Sequence, residues 1–210
     1  MLDSKRIGVV AMGGETSGIP TIRSLRKRGF QTFLFIDNRK SIICKTKNIT
    51  GGIFKIEDES PYFLKKIKYI CLKYKIFKLI ILDEELKYYF IKNRDLFKNI
   101  EIALPTTESY EIALRKTSSS EYARQIGIPV PKTFFIKDRE ELFSLKNSFN
   151  FPLVVKGERG NSSAHVRYAH NFDELIKYFD EVSKLEKNLG SSLSNPMIQE
   201  YIGGPTYLSQ

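Results

Sequence analysis

Short apolar runs alternate with amphipathic segments along the first 105 residues of the chain. Five runs have the composition and length of buried strands, at 6–12, 31–37, 53–56, 78–83 and 101–104. Three segments with apolar residues at helical spacing lie between them, at 19–28, 61–74 and 84–97. The first strand, helix and second strand form a β-α-β unit whose crossover length suits a parallel sheet. The pattern therefore predicts an open α/β sheet of four or five strands.

The second half alternates in the same way, but with shorter elements. Strands are predicted at 133–136, 152–157, 165–169 and 196–202. Helices are predicted at 106–115, 121–125, 138–145 and 171–185, with Thr117–Ser120 as the cap of the second. Asp138 with Glu141, and Asn171 with Glu174, have the spacing of a capping box at a helix N-terminus. This alternation predicts a small α+β unit, and it does not give the strand directions.

The composition narrows the classes of partner. A formal net charge of +10 would suit a polyanion such as nucleic acid. The lysines, however, are scattered between apolar positions at helical spacing, without arginine–aromatic clusters, so nucleic acid is an unlikely partner. No run approaches the roughly 18 apolar residues of a membrane span. The first residues lack the apolar region of a signal peptide, so we expect a cytoplasmic protein without membrane contacts.

The cysteines and histidines, which could bind a metal or carry redox chemistry, are not spaced as a site in the sequence. The two cysteines, Cys44 and Cys71, lack metal or redox spacing, and Cys71 falls in the apolar stripe of the helix at 61–74. The two histidines, His165 and His170, flank a predicted strand without another ligand at metal spacing. We expect Cys71 in the core and both histidines at the surface.

A glycine-containing loop follows the first strand. Its glycines, at 13, 14 and 18, do not form the G-x-G-x-x-G pattern of dinucleotide-binding proteins, which disfavours an NAD enzyme. Asp37 could hold a ribose at the end of the second strand or could cap a loop. Any ligand crevice of this sheet would lie at the carboxyl ends of the strands, near Gly13, Gly14, Asp37, Asp83 and Glu84.

A lysine ends the predicted strand at 152–157. In the segment Phe-Pro-Leu-Val-Val-Lys-Gly-Glu-Arg-Gly at 151–160, Lys156 stands beside a loop that could close over a phosphate, although such a lysine often just meets water. Two blocks flank this segment: Gly-Ile-Pro-Val-Pro at 127–131 and Gln-Glu-Tyr-Ile-Gly-Gly at 199–204. In this order and spacing, the three blocks together resemble the ATP-grasp superfamily, of the carbamoyl-phosphate-synthase-like, carboxylate–amine ligase type.

The resemblance implies an α/β protein with two domains. An N-terminal Rossmann-like pre-ATP-grasp domain with a parallel sheet would occupy 1–105, and it would help to build the acceptor-substrate site. A partial ATP-grasp domain, with linker helices and an α+β lid subdomain, would occupy 106–210. In the family, ATP phosphorylates a carboxylate, and an amine or thiol then displaces the phosphate.

The resemblance also implies a nucleotide site for ATP. Lys116 and Lys156 would neutralise phosphate charge, the loop at 157–164 would close over the γ-phosphate, and the segment 199–202 would contact adenine. The implied cofactor-binding residues are Lys116, Lys156, Gly157, Gly160, Asn161, Ser162, Ser163, Gln199, Glu200, Tyr201 and Ile202. The resemblance assigns no catalytic or metal-binding residue to this chain.

Three features depart from the family pattern. Arg115 stands where the family has an aspartate before the first lysine, and Thr206 stands where many members have a ribose-binding glutamate. The third lobe, which carries the Mg²⁺ ligands, has no counterpart up to Gln210. We therefore expect Mg²⁺ ligands in that lobe, and ATP binding without turnover by this chain alone. The alternatives are a non-catalytic nucleotide-binding module and one chain of a split enzyme, with a partner chain or a second copy at the exposed surface. The carboxylate and amine substrates remain unidentified.

Overall fold

The computed structural model describes residues 3–12, 15–56, 62–158, 165–188 and 196–204. The chain divides into two compact units, Met1–Thr107 and Glu108–Gln210. Each unit has its own sheet and its own buried apolar side chains.

The first unit contains a five-stranded parallel sheet. The strands are β1 (Asp3–Val10), β2 (Gln31–Ile36), β3 (Gly52–Lys55), β4 (Ile76–Ile81) and β5 (Glu101–Ile102), in the order β3-β2-β1-β4-β5. The helices are α1 (Glu15–Lys27), α2 (Phe63–Lys73) and α3 (Glu84–Lys92), with short 3₁₀ turns at Ile42–Lys45 and Arg94–Phe97. Every strand pair is parallel, which confirms the predicted α/β sheet.

Both faces of this sheet are covered. Neighbouring residues of a strand point to opposite faces. Val9 belongs to a cluster with Ile22 of α1, whereas Val10 belongs to a second cluster with Ile67 of α2 and Phe90 of α3. All five side chains are completely buried. Because the sheet is covered on both faces, its strands appear in the sequence as continuous apolar runs, and these runs made them recognisable.

Two predicted helices of the first unit have different bounds. Helix α1 begins at Glu15, not at residue 19, so residues 15–18, expected in a loop, are helical. Gly18 lets the helix lie close to the 3₁₀ turn, since a Cβ atom there would lie 2.3 Å from Cδ1 of Ile43. The end at Gly29 is as predicted: Gly29 has a φ of +81°, and Phe30 N–H donates to Leu25 O as in a Schellman motif. The predicted helix 84–97 ends at Lys92 and continues as a 3₁₀ turn.

The second unit contains a four-stranded antiparallel sheet. The strands are β6 (Thr133–Phe135), β7 (Leu153–Lys156), β8 (Val166–Ala169) and β9 (Met197–Glu200), in the order β6-β9-β7-β8. The helices are α4 (Thr107–Leu114), α5 (Lys116–Gln125), α6 (Arg139–Ser144) and α7 (Phe172–Asn188), and a 3₁₀ turn spans Lys146–Ser148. Both predicted caps are present: Glu141 N–H donates to Asp138 (2.8 Å), and Glu174 N–H donates to Asn171 (2.9 Å).

The side chains of this sheet separate into a core face and a second face. Leu153, Val155 and Ile198 pack with Leu175 and Phe179 of α7. Residues directly opposite each other in antiparallel strands share a face. The registers therefore place both polar and apolar side chains on the other side of the sheet. We call this second face the lysine face; it consists of Thr133, Phe135, Val154, Lys156, Val166, Tyr168, Met197 and Gln199.

The beginning of α5 corrects the sequence interpretation. The pattern predicted Lys116 near the end of the preceding helix and 117–120 as a cap, but Lys116 is the first residue of α5 and 117–120 lie inside the helix. The hydroxyl of Ser119 donates to Ile112 O (2.8 Å), and Ser119 N–H donates to Arg115 O (2.9 Å). The serines therefore fill helical positions, and one of them bonds to the preceding helix instead of capping.

No helix formed by the described residues is long and apolar enough to cross a membrane.

The two cysteines should differ sharply in reactivity. Cys71 is completely buried in α2, and burial raises the pKa of its thiol to about 12, whereas Cys44 is half-buried. At pH 8 only about one Cys71 thiol in 10⁴ would be ionised. We expect Ellman's reagent to modify one thiol per native chain and two in urea. Equal rates for both thiols in the native protein would contradict the placement of Cys71.

Candidate functional site

The lysine predicted at the end of the central strand lies where a ligand could reach it. Lys156 is the last residue of β7, stands on the lysine face and is half-buried. Its ammonium group donates a hydrogen bond to Oε1 of Gln199 at 2.7 Å. The hydrogen bond from Gly157 N–H to the carbonyl of His165 (3.0 Å) continues the β7–β8 pairing one residue past Lys156. The ammonium group thus lies at the end of an interior strand with a neutral acceptor.

The second predicted lysine lies at the same place, although it comes from a different part of the chain. Lys116 Nζ donates to the carbonyl of Gly157 (2.9 Å), and its backbone N–H faces the carbonyl of Glu158 (3.4 Å). The hydroxyl of Thr117 also donates to the Glu158 carboxylate. These contacts join the start of α5 to the residues that follow β7, across 41 residues of sequence.

The two ammonium groups are close enough for the charge of Lys116 to act on Lys156. Burial, and in second place the positive charge of Lys116, lower the pKa of Lys156 below its usual value. Glu158 contributes a carboxylate with only 7% exposure, and its Oε2 atom has no hydrogen-bond partner. Two cations that repel each other beside a sheet end form a position where a bound anion would be stabilised.

Gln199 connects Lys156 with the neighbouring strand. Its side chain is only 6% exposed, and Nε2 donates to the hydroxyl oxygen of Thr133 at 3.0 Å. That hydroxyl in turn donates to the carbonyl of Pro131 at 2.8 Å. The next residue, Glu200, pairs with Leu153 of the core face, and its carboxylate accepts from Lys132 N–H at 2.7 Å. Gln199 and Glu200 therefore have different surroundings, although the sequence grouped them.

The chain leaves the sheet directly after β9. Tyr201 N–H faces the carbonyl of Pro152 (3.3 Å), and the Tyr201 ring makes an edge contact with the ring of Tyr168, with centroids 5.8 Å apart. Ile202 is exposed. The predicted strand 196–202 is thus shorter, ending at Glu200, and residues 201 and 202 belong to the connection that follows. An aromatic pair borders the lysine face at this point.

Several predicted positions fall outside the described residues: Gly13, Gly14, Gly160, Asn161, Ser162, Ser163 and Thr206. In the first unit, the carboxylates expected at the ligand crevice have partners within the unit. Asp83 accepts from Met12 N–H (2.8 Å), Asp37 from Asn38 N–H (2.7 Å), and Glu84 from Lys87 (2.9 Å). These contacts stabilise loops and a helix start.

Three site residues were missed in the sequence: Thr117, Thr133 and Glu158. Thr133 is directly opposite Gln199 in the β6–β9 register, and no sequence pattern gives that register without the strand order. Thr117 was interpreted as part of a cap. Glu158 lies two residues after Lys156, and a carboxylate beside two expected phosphate ligands could have drawn attention to it.

The second unit thus combines two cations, a buried amide and two aromatic rings on neighbouring positions. The amide accepts from one of the two cations. Such a set can hold an anionic group beside a flat, partly apolar group. A phosphorylated small molecule with an aromatic part has this chemistry.

Comparison with known proteins identifies the fold. No protein-family model matches the sequence, and no curated protein matches it either. Among solved structures, the biotin carboxylase domain of 2-oxoglutarate carboxylase from Hydrogenobacter thermophilus, in complex with MgADP, ADP and bicarbonate, superposes with a TM-score of 0.74 at 20% identity, covering 94% of this chain and 44% of that one. The fold is that of the ATP-grasp enzymes.

Two further ATP-grasp enzymes give the same result. N5-carboxyaminoimidazole synthetase from Staphylococcus aureus, complexed with ADP, has a TM-score of 0.69 at 15% identity, with 96% and 48% of the two chains covered. L-amino acid ligase from Bacillus licheniformis superposes with a TM-score of 0.67 at 14% identity, covering 98% of this chain and 46% of that one. The present chain therefore spans less than half the length of these proteins. The likeness confirms the ATP-grasp fold expected from the three sequence blocks.

Proposed function

We propose that the second unit binds ATP on its lysine face, with Lys116 and Lys156 as the ligands of the phosphate groups. The observation that carries the proposal is the convergence of these two lysines from sequence positions 40 residues apart. The acceptors described for their ammonium groups are the Gly157 carbonyl and the Gln199 amide oxygen, both uncharged. Because the Gln199 amide oxygen is uncharged, it orients the Lys156 ammonium group and leaves its charge to phosphate oxygens.

Adenine would lie beside the phosphates, next to the aromatic pair. Tyr168 and Tyr201 offer ring edges and faces at the border of the lysine face, and residues 199–202 offer amide and backbone groups. The ATP-grasp resemblance assigns Gly157, which directly follows β7, and residues 160–163 to the phosphate loop. The neighbours' complexes with ADP support a nucleotide as the ligand.

Mg²⁺ accompanies ATP in the family, and one neighbour holds MgADP. Near the two lysines the described carboxylate is Glu158. Within the described ranges, no group of three or more histidine, cysteine, aspartate or glutamate side chains could hold a metal ion. These residues therefore do not fit a Mg²⁺ site of their own, and we assign none to them.

At the level of reaction class, we propose the nucleotide-binding part of a carboxylate–amine ligase. The first unit would then contribute to the site of the acceptor substrate, and a carboxylate and an amine would be the other ligands. Because the chain spans less than half of its neighbours' length, the expected property of this chain alone is ATP binding.

Calorimetric titration with ATP tests the proposal. We expect measurable binding by the intact chain and a roughly tenfold to hundredfold weaker affinity for Lys156→Met. A hydrogen bond to a charged group contributes about 1.5–3 kcal/mol, and 1.4 kcal/mol is a factor of ten. Lys177→Met, which removes an exposed lysine of α7, is the matched control and should bind as the wild type does. Equal losses in both variants would refute a site at Lys156.

A second candidate is a nucleotide-binding module that works with a partner chain or a second copy. Three large apolar side chains at one border of the lysine face and just after β9 are 47–63% exposed: Tyr168, Tyr201 and Ile202. Exposed apolar groups that are close together mark interaction surfaces. ADP release that needs both a carboxylate and an amine would favour the ligase, whereas ATP binding without ADP release would favour the module.

A further inference from the structure

A continuous line of hydrogen bonds crosses three strands of the second unit. It runs from Lys156 of β7 through Gln199 of β9 to Thr133 of β6 and ends at the carbonyl of Pro131, with distances of 2.7, 3.0 and 2.8 Å. Gln199 and Thr133 are directly opposite each other, and Lys156 is a diagonal neighbour of Gln199 on the same face. The antiparallel register thus brings these side chains within reach of one another.

Chemistry allows only one arrangement of this line. An ammonium group donates and cannot accept, so Lys156 requires the oxygen of the Gln199 amide. The amide nitrogen then has to face Thr133, whose hydroxyl oxygen accepts and whose proton goes to the Pro131 carbonyl. A reversed amide would place two donors against each other at Lys156. Lys156 therefore determines which end of the Gln199 amide faces it, and Thr133, whose proton goes to the Pro131 carbonyl, accepts from the other end.

The line also restricts where the ammonium group can be. A lysine side chain has four rotatable bonds, and a ligand that binds a mobile lysine has to immobilise it first. Gln199 is almost completely buried and bonded on both sides, so its oxygen is a fixed acceptor. Because that acceptor is neutral, it orients the ammonium group without cancelling its charge.

We propose that Gln199 and Thr133 are positioning residues that hold the Lys156 ammonium group ready for the phosphate groups of a nucleotide. This inference rests on the proposed ATP site. It assigns Gln199 a role toward the phosphate end of the ligand through Lys156, separate from any contact with the base. Thr133 acts on Lys156 indirectly, through its hydrogen bond with Gln199.

The test uses Thr133→Val, which keeps the shape of the side chain and removes the hydroxyl. We expect ATP to bind about threefold to tenfold more weakly, since one hydrogen bond of the line is lost, while the affinity for adenosine is unchanged. Thr133→Ser restores the hydroxyl and should restore ATP affinity. In a Lys156→Met background, Thr133→Val should have no further effect on ATP binding.

Each outcome of these titrations decides the inference. Equal weakening of ATP and adenosine, or independent effects of Thr133→Val and Lys156→Met, would overturn it and leave the proposed ATP site intact. If Lys156→Met itself left ATP affinity unchanged, the proposed function would fail instead. Thermal unfolding of all variants separates these results from loss of the fold.

A measurement without ligand tests the line of hydrogen bonds itself, independently of ATP binding. The side-chain amide of Gln199 gives a pair of ¹H–¹⁵N signals, and their exchange with water reports its hydrogen bonds. We expect faster exchange and shifted signals in both Thr133→Val and Lys156→Met, and wild-type signals in Thr133→Ser. Unchanged signals in the first two variants would exclude the line from Lys156 to Thr133.

Discussion

A chain in which Lys116 and Lys156 are both replaced by methionine is expected to bind ATP about 10²–10⁴ times more weakly than the wild type. Two charge-assisted hydrogen bonds of about 1.5–3 kcal/mol each would be lost, or about 3–6 kcal/mol together. The two ammonium groups belong to different elements, α5 and β7: that of Lys116 donates to the carbonyl of Gly157, the residue after Lys156, and that of Lys156 donates to Gln199. The effect is measured by comparing the affinities for adenosine, AMP, ADP and ATP, since the wild type should bind more tightly with each added phosphate.

The double variant should lose this dependence on phosphate number. Its matched control is Lys177→Met with Lys184→Met, which removes the same charge from exposed positions of α7. A general attraction between a protein of net charge +10 and an anion would weaken equally in both double variants and would fall with salt. If the affinity of the double variant still rose steeply with each added phosphate, the phosphates would bind elsewhere than at Lys116 and Lys156.

Phe90→Ala is expected to have the largest effect on stability, with a loss of about 3–5 kcal/mol. Phe90 is a completely buried residue of α3, and its ring lies 5.2 Å from the ring of Phe97 and 6.4 Å from that of Phe63, measured between centroids. Its removal would leave a cavity beside these two rings. Because a typical domain is stable by only about 5–15 kcal/mol, such a loss should be plain in urea unfolding followed by circular dichroism.

Tyr88→Ala provides the comparison for that experiment. Tyr88 is in the same helix, two residues earlier, but its side chain is 43% exposed. We expect its replacement to change the free energy of unfolding by less than about 1 kcal/mol. Similar losses for both variants would mean that the side of α3 that faces the sheet is wrongly assigned.

The sequence was informative where local chemistry decides the structure. The apolar stripe of α7, with Leu175, Phe179 and Val182 buried, follows from helical spacing alone. The caps at Asp138 and Asn171 follow from residue types three positions apart. Helix starts without such a signal were less certain, as with Lys116, where a run of serines suggested a cap and forms helix.

The strand order could not be obtained in this way. Nothing in the composition of β9 indicates that it lies between β6 and β7, and the antiparallel directions came from the structure. The contacts of the site depend on that order: the partners of Lys156 and of Gln199 are 43 and 66 residues away in sequence. The sequence therefore pointed to Lys116, Lys156 and Gln199 as ligands. It could not reveal Thr133 or the hydrogen bonds that join Lys156, Gln199 and Thr133.

The position of β9 also has a consequence for synthesis on the ribosome. β9 is the last of the four described strands of its sheet in chain order and lies in the interior of that sheet, so β6 has no partner among these strands until β9 appears. At 5–20 residues per second, Gln199 is added about 2–9 s after Lys156. During that interval the chain already contains both lysines but not Gln199, the hydrogen-bond acceptor of Lys156. ATP bound at the proposed site would therefore stabilise chains in which β9 has joined the sheet.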